Sequence, residues 1–250
     1  MRFRKKPWAQ NELDTNRRFV PDPGEYKGKW NQRFENANPI YAEIGCGRGR
    51  FVVRMAEETP GANFVAVERD RKVIVTGARA ARERGLNIAF ISGDAGCLAE
   101  WFGAGEIDRI FINFCDPWPN KNKWAKRRLT HQNYLNIYKK ILKSGGSLHF
   151  KTDNPGLFEF SINQFSDNGW RLRNVTFDLH RAKNLPQLDA DARIMTEYEE
   201  KYAERGLPIY RLEASVLSGD KVPGIRADTR YAPTALRKTL PDVTLVQCNI

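Results

Sequence analysis

Four acidic residues stand where successive apolar runs of strand length end, and they are the strongest sign of chemistry in this sequence. Glu43 and Glu68 close the first two runs, and Asp94 and Asp116 follow the third and fourth. Because the carboxyl ends of parallel strands share one edge of a sheet, we expect these acids to outline a binding rim. A single acid there is more often a solvated loop residue or a helix N-cap, but four in matching positions favour a site.

A glycine-rich turn follows the first strand, with Gly45, Gly47 and Gly49 at alternate positions. Such glycines let a ligand approach the main-chain N–H groups at the start of the next helix. A dinucleotide fingerprint would need a glycine where this chain has Arg50. Glu43 would repel a pyrophosphate but attract the ammonium and sulfonium groups of S-adenosylmethionine. The turn therefore favours a methyl donor, and an ordinary strand-to-helix turn is the alternative without a ligand.

The next two acids suit the nucleoside half of such a donor. Glu68 occupies the position at which a doubly wound sheet places the acid that accepts both ribose hydroxyls. Asp94 follows the third strand, where a carboxylate could meet an adenine amino group. Together with Glu43, these two acids predict a cofactor that contains adenosine.

The least regular stretch follows the fourth strand and runs from Phe114 to Leu129. Its two prolines stiffen the backbone, and its two tryptophans, Trp118 and Trp124, have no place in regular structure there. We interpret it as a phosphate-binding loop beside a stacking aromatic, because a solvated basic helix start leaves the tryptophans unexplained. The basic residues are Lys121, Lys123, Lys126, Arg127 and Arg128.

The order of elements predicts an α/β fold with a Rossmann-like, mostly parallel sheet. From residue 39 onward, strand-length runs near 40–45, 63–67, 87–92, 108–115 and 147–151 alternate with helix-length segments. We expect the helix before the fifth strand to end at Gly145-Gly146, and two later strands to form an antiparallel C-terminal edge of a seven-stranded sheet. The predicted organisation is a basic arm (1–38), the Rossmann-like domain (39–217) and a tail (218–250).

Composition limits the partners and the compartment. The 250 residues carry a formal net charge of +11 with pI near 9.6, which indicates a polyanionic partner such as nucleic acid. No apolar run is long enough to span a bilayer, and no signal peptide is evident, so we expect a cytoplasmic protein without a membrane contact. The four cysteines are scattered and predict neither a metal site nor disulfides.

Several motifs together resemble the bacterial tRNA (guanine-N(7)-)-methyltransferase family over residues 1 to about 217. They are the segment 43–49, the Asp-Pro-Trp-Pro loop at 116–119, the basic segment 126–129 and the Thr-Glu-Tyr-Glu segment 196–199. The last three are more specific than the glycine turn. The resemblance implies a class I methyltransferase fold with helices on both faces of the sheet, S-adenosyl-L-methionine as cofactor and tRNA as partner.

The resemblance also implies roles for individual residues. Glu43, Gly45, Gly47, Glu68, Asp94 and Asp116 would bind the cofactor, and Asp116 would also be catalytic. The implied substrate-binding residues are Asn120, Lys121, Asp153, Thr196, Glu197, Tyr198 and Glu199, and those for RNA are Lys123, Lys126, Arg127 and Arg128. The loop is one residue longer than the family pattern, so either Asn120 or Lys121 takes the place of the family lysine. Without the resemblance, Thr196 and Glu199 read as a capping box that opens a helix.

The implied reaction is methyl transfer to guanine N7 of tRNA, an atom whose lone pair needs no general base. Three alternatives stay open: methylation of an exocyclic amino group in RNA, covalent catalysis by Cys115, and a non-catalytic RNA-binding protein with this fold. We expect a monomer or a homodimer without a metal.

Overall fold

A computed structural model describes residues 8–119, 122–182 and 188–216. Seven strands form a single sheet: β1 (Ile40–Ile44), β2 (Asn63–Glu68), β3 (Ile88–Ser92), β4 (Ile107–Asn113), β5 (Leu142–Thr152), β6 (Trp170–Thr176) and β7 (Tyr210–Val216). Their spatial order is β3-β2-β1-β4-β5-β7-β6. The pairs from β3 to β5 are parallel, whereas β7 is antiparallel to both of its neighbours. The fold class predicted from the sequence is confirmed.

Helices cover both faces of the sheet. They are α1 (Trp8–Asp14), α2 (Trp30–Phe34), α3 (Arg50–Glu58), α4 (Arg71–Glu83), α5 (Leu98–Trp101), α6 (Asn122–Ala125), α7 (Gln132–Ile141), α8 (Pro155–Asp167), α9 (Ala190–Arg193) and α10 (Glu197–Ala203). One apolar cluster lies between the sheet and α7 and α8, and a second lies between the opposite face and α3 and α4. No helix in the described ranges is long and apolar enough to cross a membrane.

The strand order places the four acids along one edge. Glu43 and Glu68 lie within the last two residues of β1 and β2, and Asp94 and Asp116 follow β3 and β4 within three residues. Because β3, β2, β1 and β4 are parallel neighbours in that order, the acids follow one another along the carboxyl rim.

The predicted end of the helix before the fifth strand is wrong. The helix α7 ends at Ile141, and β5 begins at Leu142, so Gly145 and Gly146 lie inside the strand. Pairing of β4 with β5 shifts register at this point. Gly145 has a φ of 80°, and a Cβ on Gly146 would lie 2.9 Å from the carbonyl oxygen of Asp108. Here the glycines permit an irregular strand rather than end a helix.

Residues 8–38, the described part of the predicted arm, are packed on the sheet by apolar side chains. Trp30 is fully buried, its ring stacks on Phe102, and its Nε1 donates to the carbonyl of Trp101. The main chain of Phe19 forms an isolated bridge to Phe90 of β3, and the Phe19 side chain is buried. These aromatic side chains therefore anchor the segment. The predicted tail, 218–250, lies outside the described residues.

Candidate active site

A cleft of about 650 Å³ opens at the carboxyl ends of β1, β4 and β5. Its walls come from the glycine turn, the loop after β4, the loop after β5 and the start of α10. These walls include residues from both the cofactor and the substrate predictions: Glu43, Gly45, Gly47, Asp116, Asp153, Thr196, Glu197 and Tyr198. Motifs that are distant in sequence thus share a single cavity.

Glu43 lies at the floor of this cleft with one carboxylate oxygen unsatisfied. Its side chain is 3% exposed, and Oε1 accepts a hydrogen bond from Nδ2 of Asn113 at 3.1 Å. Within the described part of the chain, Oε2 has no hydrogen-bond partner. Burial raises the pKa of Glu43 from 4.5 to about 8. A buried carboxylate with a free oxygen is costly unless a ligand supplies a donor or a positive charge, and the ammonium of S-adenosylmethionine would supply both.

Glu68 and Asp94 both bind main-chain N–H groups at the rim. The two oxygens of Glu68 accept from the N–H groups of Gly47 and Asp70, each at 3.0 Å. Asp94 is exposed and accepts from Gly96 N–H at 2.8 Å, as the N-cap of a 3-10 turn. Glu68 therefore fixes the glycine turn itself. Each carboxylate oxygen retains a lone pair for a further donor, such as a ribose hydroxyl or an adenine amino group.

The loop that carries Asp116 is held in an uncommon backbone conformation. Phe114 and Trp118 have φ values of 52° and 31°, a region that non-glycine residues rarely adopt. The Phe114 N–H donates to the carbonyl of Lys151, which ties the loop to β5. Asp116 itself is exposed and lines the cleft.

Cys115, the alternative nucleophile, is in the wrong protonation state for that role. Burial and the neighbouring Asp116 carboxylate raise the pKa of its thiol to about 12. Only the thiolate is strongly nucleophilic. Covalent catalysis by this residue therefore finds no support in the structure.

Replacing Cys115 by serine is expected to leave methyl transfer within about threefold of the wild-type rate, since the thiol serves packing. Single-turnover transfer of a labelled methyl group measures this. A loss of more than about a hundredfold with an unchanged melting temperature would restore the nucleophile hypothesis.

The loop after β5 and the start of α10 form the opposite wall of the cleft. The hydroxyl of Tyr198 donates to Oδ2 of Asp153 at 3.1 Å, and its ring lies between those of Phe114 and Tyr202. Burial, the Tyr202 hydrogen bond and the Asp153 carboxylate raise the pKa of Tyr198, so the phenol stays protonated. Glu197 faces the glycine turn, with Oε2 3.7 Å from Nη1 of Arg48.

Glu199 has a different environment from Glu197 and Tyr198. It is fully buried, and its Oε2 accepts from Nζ of Lys151 at 2.8 Å. His180 Nε2 lies 3.1 Å from its other oxygen. Although burial opposes ionisation, Lys151 and His180 lower the pKa of Glu199. Thr196 and Glu199 also complete a reciprocal capping box, so Glu199 supports the wall from inside and does not line the cleft.

Glu197 and Glu199 are expected to respond differently when each is replaced by glutamine. Glu199→Gln leaves the buried ammonium of Lys151 without its counter-charge and should lower the free energy of unfolding by about 3 kcal/mol. Glu197→Gln, at a partly exposed position, should change it by less than about 0.5 kcal/mol while it weakens methyl transfer. Urea unfolding and initial rates on tRNA measure both. Equal losses of stability would contradict this division.

The basic segment 126–129 follows α6 and turns back on the Asp116 loop. The rings of Trp118 and Trp124 stack with centroids 5.4 Å apart and 7° between planes, and the guanidinium of Arg127 lies within 4.9 Å of both centroids. Lys123, Lys126 and Arg127 are exposed. The tryptophans thus stack on each other and on a cation, and they hold positive charge at the mouth of the site. Asn120 and Lys121 lie outside the described residues.

Arg128 differs from its basic neighbours because it is buried. Its side chain is 4% exposed, and Nε and Nη2 donate to the carbonyl of Trp118 at 3.1 and 2.7 Å. This pair of hydrogen bonds fixes the strained residue of the Asp116 loop. The guanidinium therefore holds the loop through Nε and Nη2, and the implied contact of Arg128 with RNA stays a prediction.

One group of possible metal ligands occurs away from the cleft. Ligand atoms of His149, Asp189 and Asp191 lie within 4.8 Å of one another. Arg211 binds Asp191 at 3.0 Å, and Arg109 binds Asp189 at the same distance. These guanidinium groups already neutralise the carboxylates, so the group serves as an ion-pair network that joins the start of α9 to the sheet.

The sequence prediction did not include two residues that shape the site. Lys151 is 1% exposed and donates to the carbonyls of Asp191 and Ile194 as well as to Glu199. Asn113 donates to Glu43. Both are polar residues inside apolar strand segments. Buried polar groups in such segments need defined partners, so their position in the sequence was the signal that could have identified them.

Comparison with known proteins agrees with this architecture. A family model described as "Putative methyltransferase" matches residues 37–212. A tRNA (guanine-N(7)-)-methyltransferase from Brevibacillus brevis is 49% identical over 216 residues, which cover 86% of this chain and 98% of that protein. The enzyme of the same name from Bacillus subtilis is 43% identical over 215 residues, or 85% and 98% of the two chains.

A solved structure matches the fold alone. It is a 16S rRNA (adenine(1408)-N(1))-methyltransferase from Catenulisporales acidiphilia, with a TM-score of 0.55 and 19% identity over 80% of this chain and 95% of that one. The sheet order, with the cleft at its carboxyl edge, is that of the class I methyltransferase fold, and the family model and the relatives make the chain an S-adenosylmethionine-dependent methyltransferase. The chain belongs to the family of the tRNA (guanine-N(7)-)-methyltransferases.

Proposed function

We propose that this protein transfers a methyl group from S-adenosylmethionine to N7 of a guanine in tRNA. The observation that carries the proposal is the shared cleft, which joins the unsatisfied Glu43 carboxylate and Asp116 to Asp153, Glu197 and Tyr198. Relatives of that name match most of the chain. The basic segment and the net charge of +11 suit a tRNA partner.

S-adenosylmethionine supplies a methyl group on a positively charged sulfur. In this proposal Glu43 accepts a hydrogen bond from the methionine ammonium through Oε2, and Gly45 and Gly47 line the cleft without side chains that would obstruct the ligand. Glu68 and Asp94 bind the ribose and the adenine. A cation beside Glu43 lowers the raised pKa of its carboxyl, so cofactor binding favours the carboxylate form.

The guanine is held by carboxylates at its Watson–Crick edge. The ring N1–H and the exocyclic amino group are donors, and the carboxylates of Glu197 and Asp153 are acceptors on the same wall of the cleft. Tyr198 donates to Asp153 and so fixes one of these carboxylates. This arrangement discriminates guanine from adenine, whose ring N1 is itself an acceptor.

Catalysis then depends on alignment and on one charge. The N7 lone pair lies in the ring plane and carries no proton, so no side chain has to remove one. Holding the two reactants in line accounts for most of the acceleration. The Asp116 carboxylate stabilises the positive charge that develops on the imidazole ring of the base. Lys123, Lys126 and Arg127 bind the phosphate backbone, and Asn120 and Lys121 are proposed contacts to the substrate.

Incubation with tRNA and S-adenosylmethionine carrying a labelled methyl group, followed by nucleoside analysis of the product, tests the proposal. The expected product is 7-methylguanosine. A methylated exocyclic amino group would instead identify the alternative enzyme. Binding of tRNA without any transfer would identify a non-catalytic RNA-binding protein.

A further inference from the structure

A second cavity of about 520 Å³ lies beside the cleft. Pro117 and Asn154 line both cavities. An extended ligand that leaves the cleft past these residues therefore enters the second cavity directly. Aromatic surface comes from Trp118 and Phe160, and Glu159 and Asn163 add exposed polar groups at its edge. Of the lining residues, Asn154, Glu159, Phe160 and Asn163 have no role predicted from the sequence.

Arg128 gives the second cavity an unsatisfied positive charge. Its guanidinium lies 4.4 Å from the ring centroid of Phe160, and two of its nitrogens bind the Trp118 carbonyl. The third nitrogen, Nη1, is buried without a hydrogen-bond partner within the described ranges. A buried guanidinium with a free donor favours a ligand that brings an oxygen acceptor.

The first turn of α8 provides a second feature that suits an anion. Asn154 caps the helix by accepting from Leu157 N–H at 2.8 Å, and its carbonyl accepts from Phe158 N–H. Pro155 has no N–H. The N–H of Gly156 is thus left at the positive end of a 13-residue helix, on the wall of the cavity.

The combination fits a nucleotide better than an isolated anion. The carboxylate of Glu159, exposed at the edge of the cavity, can accept hydrogen bonds from the amino group of a base, a group that inorganic phosphate lacks. Aromatic rings and arginine are the usual partners of splayed bases in single-stranded RNA. Trp118 stacks on Trp124, and the Phe160 ring lies beside His131 and Arg128, so a base attached to a phosphate at Arg128 and Gly156 would contact the surface that these two rings leave free.

We propose that the second cavity binds a tRNA nucleotide next to the methylated guanine. Its base packs on Trp118 and Phe160, and its phosphate binds Arg128 and the N-terminus of α8. This inference rests on the proposed function for its choice of RNA. Because the cavity adjoins the Asp116 loop, occupation would also stabilise the strained segment from Phe114 to Trp118.

A substitution that fills the cavity tests the proposal without breaking the fold. A Cβ on Gly156 would lie 3.5 Å from Oδ1 of Asn154, an ordinary contact, so leucine is tolerated there. Leucine also favours helix over glycine. The matched control is Gly61→Leu, at an exposed glycine that precedes β2, where an added Cβ would point into open space with no contact within 4 Å.

Gly156→Leu should raise the Kd for an unmodified tRNA transcript about tenfold, measured by fluorescence anisotropy without the methyl donor. Gly61→Leu should leave that Kd unchanged, and neither variant should lower the melting temperature or the affinity for S-adenosylmethionine. Wild-type tRNA binding by Gly156→Leu would overturn the proposal. Formation of 7-methylguanosine by the wild-type protein is measured separately, so failure of the proposed function is distinguishable from failure of the cavity.

Discussion

Asp116→Asn is expected to lower the rate of methyl transfer about 10²- to 10³-fold at saturating cofactor and tRNA. The substitution keeps the shape of the side chain and removes the charge that stabilises the methylated base, and loss of one such electrostatic contact typically has this effect. Asp116 is exposed on the cleft wall, so the melting temperature should not change. Single-turnover kinetics with labelled S-adenosylmethionine give the rate.

Asp167→Asn is the matched control, because this acid is exposed at the end of α8 and lines neither cavity. It should transfer methyl groups at the wild-type rate. Binding of S-adenosylmethionine by Asp116→Asn, measured by calorimetry, separates catalysis from cofactor affinity. Transfer at the wild-type rate by this variant with cofactor bound would exclude the proposed catalytic role.

Glu43→Gln is expected to weaken binding of S-adenosylmethionine by about 1.5–3 kcal/mol, or roughly ten- to hundredfold in Kd. The amide still accepts from Asn113 through Oε1, but it presents a donor where the carboxylate has its free oxygen. That donor would face the ammonium of the ligand. Calorimetric titration measures the change, and Glu58→Gln, at an exposed glutamate of α3, serves as the control.

The same substitution should stabilise the free protein, and more so at higher pH. Burial raises the pKa of Glu43 from 4.5 to about 8, so the folded state holds this proton more tightly than the unfolded state. The contribution of Glu43 to stability is therefore greatest below about pH 4.5 and falls as the pH rises to about 8. Glutamine does not ionise, and its advantage in melting temperature should widen over that interval.

Cofactor binding provides the complementary test of Glu43. Near neutral pH the free carboxyl is protonated, whereas the complex needs the carboxylate, so binding of S-adenosylmethionine should release a proton from the wild-type protein. Titrations in buffers with different ionisation enthalpies count that proton. A wild-type complex that forms without proton release, together with an unchanged Kd in Glu43→Gln, would contradict the role of Glu43.

Local sequence determined the elements that reach the site. Apolar runs alternating with helix-length segments predicted the parallel sheet, and the acids at the ends of the runs came together because parallel strands present the same end at the same edge. Gly145 and Gly146 show the limit of such inference. Their sequence suits a helix end as well as an irregular strand, and only pairing with β4 selects the strand.

The Thr196–Glu199 segment shows a second limit of prediction from local sequence. Its spacing identified the capping box correctly. The division between Glu197 on the cleft and Glu199 beneath it depends on Lys151 of β5, which is remote in sequence. The capping pattern is local and therefore readable, whereas the partner of a buried charge is fixed by packing between β5 and α10.

Four carboxylates, a glycine turn and a basic loop were readable from the sequence alone, because residue type and position relative to strand ends are local properties. Tertiary structure decided which groups are exposed and what they touch. It left Glu43 with a free buried oxygen, buried Arg128 beneath the Asp116 loop, and opened a second cavity beside the first. Burial and unsatisfied hydrogen bonds arise only when distant segments pack together, and these features set the chemistry of the site.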